Sequence, residues 1–185
     1  EGGKLLHLRL LKRGRFNVPE TYDSESFKLG SLRDDMRYVV RSSSSVEDSI
    51  TKTAAGRNHS ELGVKKNEIL QAIKKVKSFY KDGGVVIQPD LTDLMEYSGV
   101  GYTNLNGDLV ISMGSGNFVQ SIVEGKKPET QITSKNESFT MVGSTVNPRI
   151  IKKIKESLFH VEDYFGRPMD VEFAVIEGKV VLLQA

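Results

Sequence analysis

The segment from residue 40 to residue 56 constrains this chain most, because a strand-like apolar run leads directly into a small, hydroxyl-rich loop. Tyr38-Val39-Val40 has the composition of a buried strand, and it is followed by Arg41, serines 42–45, the pair Glu47-Asp48 and the run Thr53-Ala54-Ala55-Gly56. Guanidinium groups donate bidentate hydrogen bonds to phosphate oxygens, hydroxyls add neutral donors, and Ala or Gly lets backbone N–H groups approach closely. The segment therefore indicates a polyanion-binding loop. A flexible Ser-rich linker is the alternative interpretation, and the preceding strand and the acidic pair weigh against it.

Length and composition exclude several classes of protein. A chain of 185 residues with 38% apolar content can form one domain, or two small lobes, with a true core. The absence of cysteine excludes a disulfide framework and a thiolate metal site. No apolar run approaches the ~18 residues of a membrane span, so we expect a soluble, cytoplasmic protein. A net charge of +2, from 26 basic and 24 acidic residues, provides no strong field for nucleic acid or a membrane surface.

The hydrophobic pattern predicts short helices and strands without an internal repeat. Helices are predicted over 5–12, from Glu68 to about Lys81 with Asn67 as the cap, and from Asn147-Pro148 to Gly166. Strands are predicted over 85–87, 100–103, 109–113, 118–123 and 170–175, with a hairpin turn at Asn106-Gly107 and a plain turn at Gly114-Ser115-Gly116. Pro89-Asp90 ends its strand and predicts a connection to the next part of the chain.

Two acids in the last predicted strands suggest a metal site. The period of two along residues 170–175 puts Asp170 and Glu172 on one face and Val171 and Phe173 on the other. Magnesium takes oxygen ligands and binds through one or two carboxylates together with substrate phosphates. An exposed strand face explains an Asp-x-Glu pattern almost as often, so both interpretations stay open at this point.

These motifs together resemble the nucleotide-binding domain of the phosphoenolpyruvate synthase and pyruvate phosphate dikinase family. Its pattern V-R-S-S-x-x-x-E-D, then x-A-G-x-x-x-S/T-x-L, is filled by Arg41, Ser42, Ser43, Glu47, Asp48, Ala55, Gly56, Ser60 and Leu62. Further segments match in the same order: Gly2-Gly3-Lys4, Val86-Ile87-Gln88-Pro89, Ser98-Gly99-Val100, Met169 to Phe173 and Leu183-Gln184-Ala185. The resemblance implies an α+β, two-lobed ATP-grasp-type domain with antiparallel sheets and flanking helices. Its small lobe would cover roughly 1–88 and its second lobe roughly 89–185.

The resemblance also implies roles for particular residues. Lys4 and Arg41 would act catalytically by neutralising phosphate charge, and Thr53, Ala55 and Gly56 would cover the phosphates with backbone N–H groups. Gln88, Pro89, Asp90 and Leu91 would border adenine, and Gln120 would lie near the phosphates. Asp170, Glu172 and Gln184 would hold Mg²⁺. The implied ligands are therefore ATP and Mg²⁺, and the implied partner is a phosphohistidine carrier domain, in cis or in trans, with neither nucleic acid nor membrane involved.

The chain departs from the family pattern at four points. The stretch from Ser24 to Arg37 is far shorter than the matching stretch of the family, which leaves the first lobe small. Gln120 stands where the family usually has Glu, and an amide is a poorer ligand for a hard cation. The Arg that follows Q-A or Q-T in the family would fall after Ala185. His7, His59 and His160 lie outside the Thr-Ser/Cys-His setting of the family's phosphoryl carrier. A phosphotransferase that performs the ATP half-reaction is therefore the expected function, and a non-catalytic nucleotide-binding or interaction module and a standalone small-molecule kinase are the alternatives.

Strand register tests the metal-site hypothesis. A two-residue loop of Glu177 and Gly178 would pair Glu172 with Leu183 and turn Gln184 to the opposite face. A three-residue loop of Glu177 to Lys179 would pair Glu172 directly with Gln184. Two-residue loops are commoner in hairpins. Because only the second register lets both side chains reach one cation, we predict the three-residue loop.

Overall fold

The computed structural model describes residues 3–43, 60–79, 84–105, 107–119, 121, 125–135 and 138–185. Contacts along the chain divide it into two compact units, one formed by Glu1–Leu10 with Pro19–Asp90 and the other by Leu11–Val18 with Leu91–Ala185. Each unit contains one antiparallel sheet with flanking helices, so the predicted α+β class is confirmed. Among the described residues, no helix combines the length and the apolar character needed to cross a membrane.

The first unit is built on a four-stranded sheet in the order β1-β4-β2-β3. The helices and strands are α1 (Gly3–Arg13, of which residues up to Leu10 belong here), β1 (Tyr22–Asp23), β2 (Arg37–Ser43), β3 (Ser60–Lys65), α2 (Ile69–Ser78) and β4 (Gly84–Pro89). The core lies between α2 and one face of the sheet. Ile69, Ile73 and Val76 of the helix pack there with Val40 and Ile87 of the strands.

The start of α2 differs from the prediction. Residues Lys66–Glu68 form a 3₁₀ turn, and the α-helix begins at Ile69. Asn67 is therefore not the cap. The backbone N–H of Lys65 donates to Glu68 Oε2 over 3.0 Å, so a carboxylate contact closes this end instead.

The second unit is built on a six-stranded sheet in the order β10-β9-β5-β6-β7-β8. Its elements are β5 (Tyr97–Leu105), β6 (Asp108–Ser115), β7 (Thr130–Lys135), β8 (Ser138–Gly143), α3 (Pro148–Phe165), β9 (Asp170–Ile176) and β10 (Lys179–Gln184). The predicted apolar stripe of α3 is buried and packs on one face of this sheet; it consists of Ile151, Ile154, Leu158 and Val161. The predicted cap is also present, because Asn147 Oδ1 accepts from the Arg149 N–H over 2.9 Å, and Gly166 ends the helix at φ 65°.

The strand predicted over 118–123 is wrong for the described residues. Val119 and Ser121 are helical, and positions 120, 122 and 123 lie outside the described residues. The N–H groups of Phe118 and Val119 both donate to Ser98 Oγ, at 2.5 and 2.9 Å. The buried Ser98 side chain on β5 therefore caps the start of this helical turn, as an N-cap residue does. This tertiary contact overrides the β-type composition.

Candidate functional site

In the first unit, Arg41 and Lys4 lie on the same side of the sheet. Alternation along β2 puts Arg41 and Ser43 on the face opposite the buried Val40. The first turn of α1 reaches this face, since the Leu5 N–H donates to Ser43 Oγ over 3.1 Å in a buried contact. Lys4 precedes Leu5 and is 9% exposed. The fold thus brings the two predicted phosphate-binding cations to the same face of the sheet, although they are 37 residues apart in the chain.

Gln88, Pro89 and Asp90 of the predicted adenine segment belong to the first unit, and Leu91 belongs to the second. Pro89 belongs to β4 and pairs with Tyr38, so the strand continues through the proline rather than ending before it. The Asp90 N–H donates to the Arg37 carbonyl oxygen over 2.9 Å, and Asp90 Oδ2 accepts from the Gly63 N–H over 2.9 Å. The sheet therefore uses the Asp90 amide hydrogen, and an adenine contact has to come from other groups of the segment.

The side chains of this segment are also engaged. Gln88 is 5% exposed, and its Nε2 donates to Thr21 Oγ1 over 2.8 Å. The carbonyl oxygen of Leu91 accepts from the Leu94 N–H over 3.0 Å at the start of a 3₁₀ turn. The Gln88 side chain is therefore held within the first unit, and the Leu91 carbonyl oxygen is bonded within the second.

Four predicted ligand residues fall outside the described residues: Thr53, Ala55, Gly56 and Gln120. The acidic pair Glu47-Asp48 and His59 do so as well. A surface recess in the first unit is lined by other residues, namely Asp34, Asp35, Met36, Arg37, Lys65, Lys66 and Asn67. This recess includes none of the predicted site residues.

In the second unit, the two predicted acids lie on one face of β9, as the alternation of side chains along a strand requires. Val171 and Phe173 are fully buried in the core, whereas Asp170 is exposed and Glu172 is partly exposed on the other face. The following hairpin has a two-residue loop, because Ile176 pairs with Lys179. The predicted three-residue loop is therefore wrong. Glu177 and Gly178 both have positive φ, 49° and 63°, which is the turn geometry that matches the twist of paired strands.

A β-bulge nevertheless produces the predicted pairing. Leu182 lies opposite Phe173, and the register then shifts so that Gln184 lies opposite Glu172, leaving Leu183 as the additional residue. Directly opposed residues in an antiparallel pair share one face, with Cβ atoms ~4.5–5.5 Å apart. Glu172 and Gln184 therefore project together, as predicted, although a bulge rather than a longer loop causes it.

Partial burial raises the pKa of two ionisable groups on this face. Desolvation raises the pKa of the Asp170 carboxyl above its ordinary value, although part of the side chain remains exposed. The pKa of Tyr102 is raised as well, first by burial and then by the charges of Asp170 and Glu172. The ionised Asp170 carboxylate therefore lacks full solvation, and a cation would compensate for this.

The donor set fits a hard divalent cation. Asp170, Glu172 and Gln184 offer carboxylate and amide oxygens, which are the ligands that Mg²⁺ accepts alongside phosphate oxygens. Within the described ranges, no group of three or more His, Cys, Asp or Glu side chains is placed to hold a metal ion. Gln184 is therefore needed as the third protein oxygen of any site on this face.

Two residues near the acids were not identified from the sequence. Tyr102 lies opposite Asp170 in the ladder between β5 and β9. Thr103 follows it, and its buried Oγ1 accepts from the Met169 N–H over 2.8 Å, directly before Asp170. Only the strand pairing reveals these positions, because residues 102 and 170 are distant in the chain.

No family model and no curated protein matches this sequence. Solved structures match its fold. D-alanine–D-alanine ligase from Bacillus anthracis, complexed with ATP, superposes with a TM-score of 0.59 at 12% identity over 98% of this chain and 53% of that chain. N5-carboxyaminoimidazole synthase from Aspergillus clavatus, in complex with ADP and 5-aminoimidazole ribonucleotide, has a TM-score of 0.57 at 10% identity over 98% and 43%.

A macrocyclase from Microcystis aeruginosa, bound to its precursor peptide, has a TM-score of 0.52 at 11% identity, covering 98% of this chain and 51% of that chain. The chain thus has the fold of the ATP-grasp ligases, which confirms the predicted fold type. It spans about half the length of the structures it matches. At these identities the likeness concerns the fold alone.

Proposed function

We propose that this chain binds ATP together with Mg²⁺ and is the nucleotide-binding part of an ATP-dependent enzyme. The observation that supports this most strongly is the bulge at Leu183, which sets Gln184 opposite Glu172 and beside Asp170 in an ATP-grasp fold. The bulge puts the Gln184 amide on the same face as the two carboxylates. Three oxygen donors on one face suit a cation that also binds phosphate.

The remaining residues take the roles that the phosphoenolpyruvate synthase resemblance gives them. Lys4 and Arg41 neutralise phosphate charge, and Thr53, Ala55 and Gly56 supply backbone donors, with Gln120 nearby. Backbone groups of the segment from Gln88 to Leu91, other than the Asp90 amide, border adenine. Bound Mg²⁺ would neutralise phosphate charge during transfer, and positioning with charge neutralisation provides most of the catalysis in phosphoryl transfer.

The acceptor of the phosphoryl group separates two proposals. By the sequence resemblance, the acceptor is a histidine of a separate carrier domain, and the reaction is the first half of a phosphoenolpyruvate-synthase-like transfer. The names of the matched structures favour a second candidate, a ligase-type reaction in which ATP drives the joining of two substrates. A non-catalytic nucleotide-binding module is the third possibility, for which the neutral Gln120 argues.

Labelled ATP distinguishes these candidates. We expect ATP labelled with ³²P in both its β- and γ-phosphates to transfer label to a supplied histidine carrier domain, as an acid-labile, base-stable phosphoprotein. ADP release that depends on a carboxylic acid and an amine, with no labelled protein, would instead support the ligase reaction. Binding of Mg-ATP without either product would support the non-catalytic module.

Arg41 provides the matched variant for the binding step. Arg41→Ala removes a charge-assisted phosphate contact and is expected to weaken ATP binding by about 1.5–3 kcal/mol. Arg33→Ala is the control, because Arg33 is an exposed cation of the same unit that pairs with Asp35. Equal ATP affinity of the two variants would return the serine segment to the linker interpretation.

A further inference from the structure

The face that carries Asp170 and Glu172 continues from β9 onto β5. Antiparallel pairing sets Tyr102 directly opposite Asp170 and Val100 directly opposite Glu172. Opposed residues share one face, with Cβ atoms ~4.5–5.5 Å apart. Tyr102 and Asp170 therefore form one row across the strands, and Glu172 and Gln184 form the adjacent row.

The second neighbour of Tyr102 is apolar. Val110 on β6 lies opposite Tyr102 and is 8% exposed. The ring thus has a buried aliphatic residue on one side and a carboxylate on the other, while the side chain itself stays partly exposed. Side chains stand roughly perpendicular to a sheet, and a tyrosine hydroxyl stands farther from the backbone than an aspartate carboxylate does. The Tyr102 hydroxyl accordingly extends farther from the sheet than the carboxylates do, to the height at which a further ligand of a bound cation would lie.

We propose that Tyr102 is a further ligand-binding residue of this site, with its ring beside the bound cation and its hydroxyl donating a hydrogen bond to a phosphate oxygen of the nucleotide. This inference rests on the proposed function. It adds a neutral, directional donor that comes from the same strand face as the metal ligands.

Terbium tests the position of the ring. Trivalent lanthanides occupy hard oxygen sites, and they emit when a nearby aromatic residue transfers excitation energy to them. The chain has six tyrosines and no tryptophan, so emission excited in the tyrosine band reports a tyrosine. We expect Tyr102→Phe to remove most of this emission without changing Tb³⁺ affinity, measured by competition with Mg²⁺. Tyr97→Phe is the matched control, since Tyr97 is on the same strand and packs against the core, and it should keep the emission.

Titration with Mg-ATP tests the hydroxyl. Loss of a hydrogen bond to a charged phosphate should weaken binding to Tyr102→Phe roughly tenfold or more, whereas Tyr97→Phe should bind as the wild type does. Emission that persists in Tyr102→Phe would overturn the position of the ring. Lost emission with unchanged Mg-ATP affinity would overturn the phosphate contact. A wild-type chain that binds no Tb³⁺ in competition with Mg²⁺ would refute the proposed metal site itself, and with it this inference.

Discussion

Replacing Thr103 by valine tests whether one buried hydroxyl fixes the start of the strand that carries the acids. Thr103 is 5% exposed and Met169 6%, and the Met169 N–H donates to Thr103 Oγ1 over 2.8 Å. Valine keeps the shape of the side chain but leaves that N–H buried without its acceptor, which costs about 1–3 kcal/mol. The Thr103 N–H also donates to the Met169 carbonyl oxygen over 3.0 Å, so the backbone pairing itself remains in the variant.

Thermal denaturation and amide exchange measure this effect. For a chain of this size, the melting temperature should fall by about 2–4 °C per kcal/mol lost. Because the two units need not unfold together, hydrogen exchange at the Met169 amide is the local readout, and we expect its protection to decrease. Thr103→Ser is the matched control: it keeps the hydroxyl and loses one methyl group, worth at most about 0.8 kcal/mol. Equal stability of the valine variant and the wild type, within about 0.5 kcal/mol, and unchanged exchange at Met169 would refute the reasoning.

Three further predictions concern the second unit. Gly101→Ala should destabilise the fold by about 1–3 kcal/mol in urea titrations, because the new Cβ would lie 2.4 Å from Leu158 Cδ1 in the core. The loss should shrink when Leu158→Val is added, and a double variant whose loss equals the sum of the two single losses would contradict this. Asn147→Ala should cost about 1 kcal/mol through loss of the α3 cap, and an unchanged melting curve would show that the cap contributes nothing. Asp170 has a raised pKa, so its folded state binds the proton more tightly than the unfolded state. Without added metal, stability should therefore fall as pH rises from the ordinary Asp value through the raised one, a slope that Asp170→Asn should lack; the same slope in both proteins would contradict the shift.

Local patterns were sufficient for the elements with strong periodicity. The apolar stripe of α3 and the cap at Asn147 follow from the spacing of 3.6 residues and from the chemistry of helix ends, and both are present. The alternation at Asp170 and Glu172 follows from the period of two, and the buried Val171 and Phe173 confirm it. These features depend on neighbours within a few residues.

The bulge at Leu183 depends on distant parts of the chain. The Leu182 N–H donates to the Asn17 carbonyl oxygen over 2.8 Å, and Asn17 Nδ2 donates to the Val180 carbonyl oxygen over 2.9 Å. Residue 17 therefore covers the outer edge of β10 directly beside the register shift. The sequence of residues 177–184 contains no signal for this contact. The predicted pairing of Glu172 with Gln184 is correct, although it was inferred from a functional argument and with the wrong loop length.

The same limit explains the residues that sequence reasoning missed. Tyr102 and Thr103 join the site through cross-strand pairing with residues about 67 positions away. The helical turn at Val119 and Ser121 depends on Ser98, which also comes from another strand. Such contacts are set by the sheet order, which composition and periodicity do not specify.

Nuclear magnetic resonance of the ¹⁵N-labelled chain with ATP and Mn²⁺ tests the central proposal most directly. Paramagnetic Mn²⁺ broadens the amide signals nearest to it, and Mg²⁺ in a parallel sample reports nucleotide contacts as shift changes. We expect the broadening to be centred on Asp170, Glu172 and Gln184, and we expect Mg-ATP to shift the signals of Lys4 and Arg41. Broadening centred instead on Asp34 and Asp35 in the surface recess, or no change at saturating Mg-ATP, would contradict it.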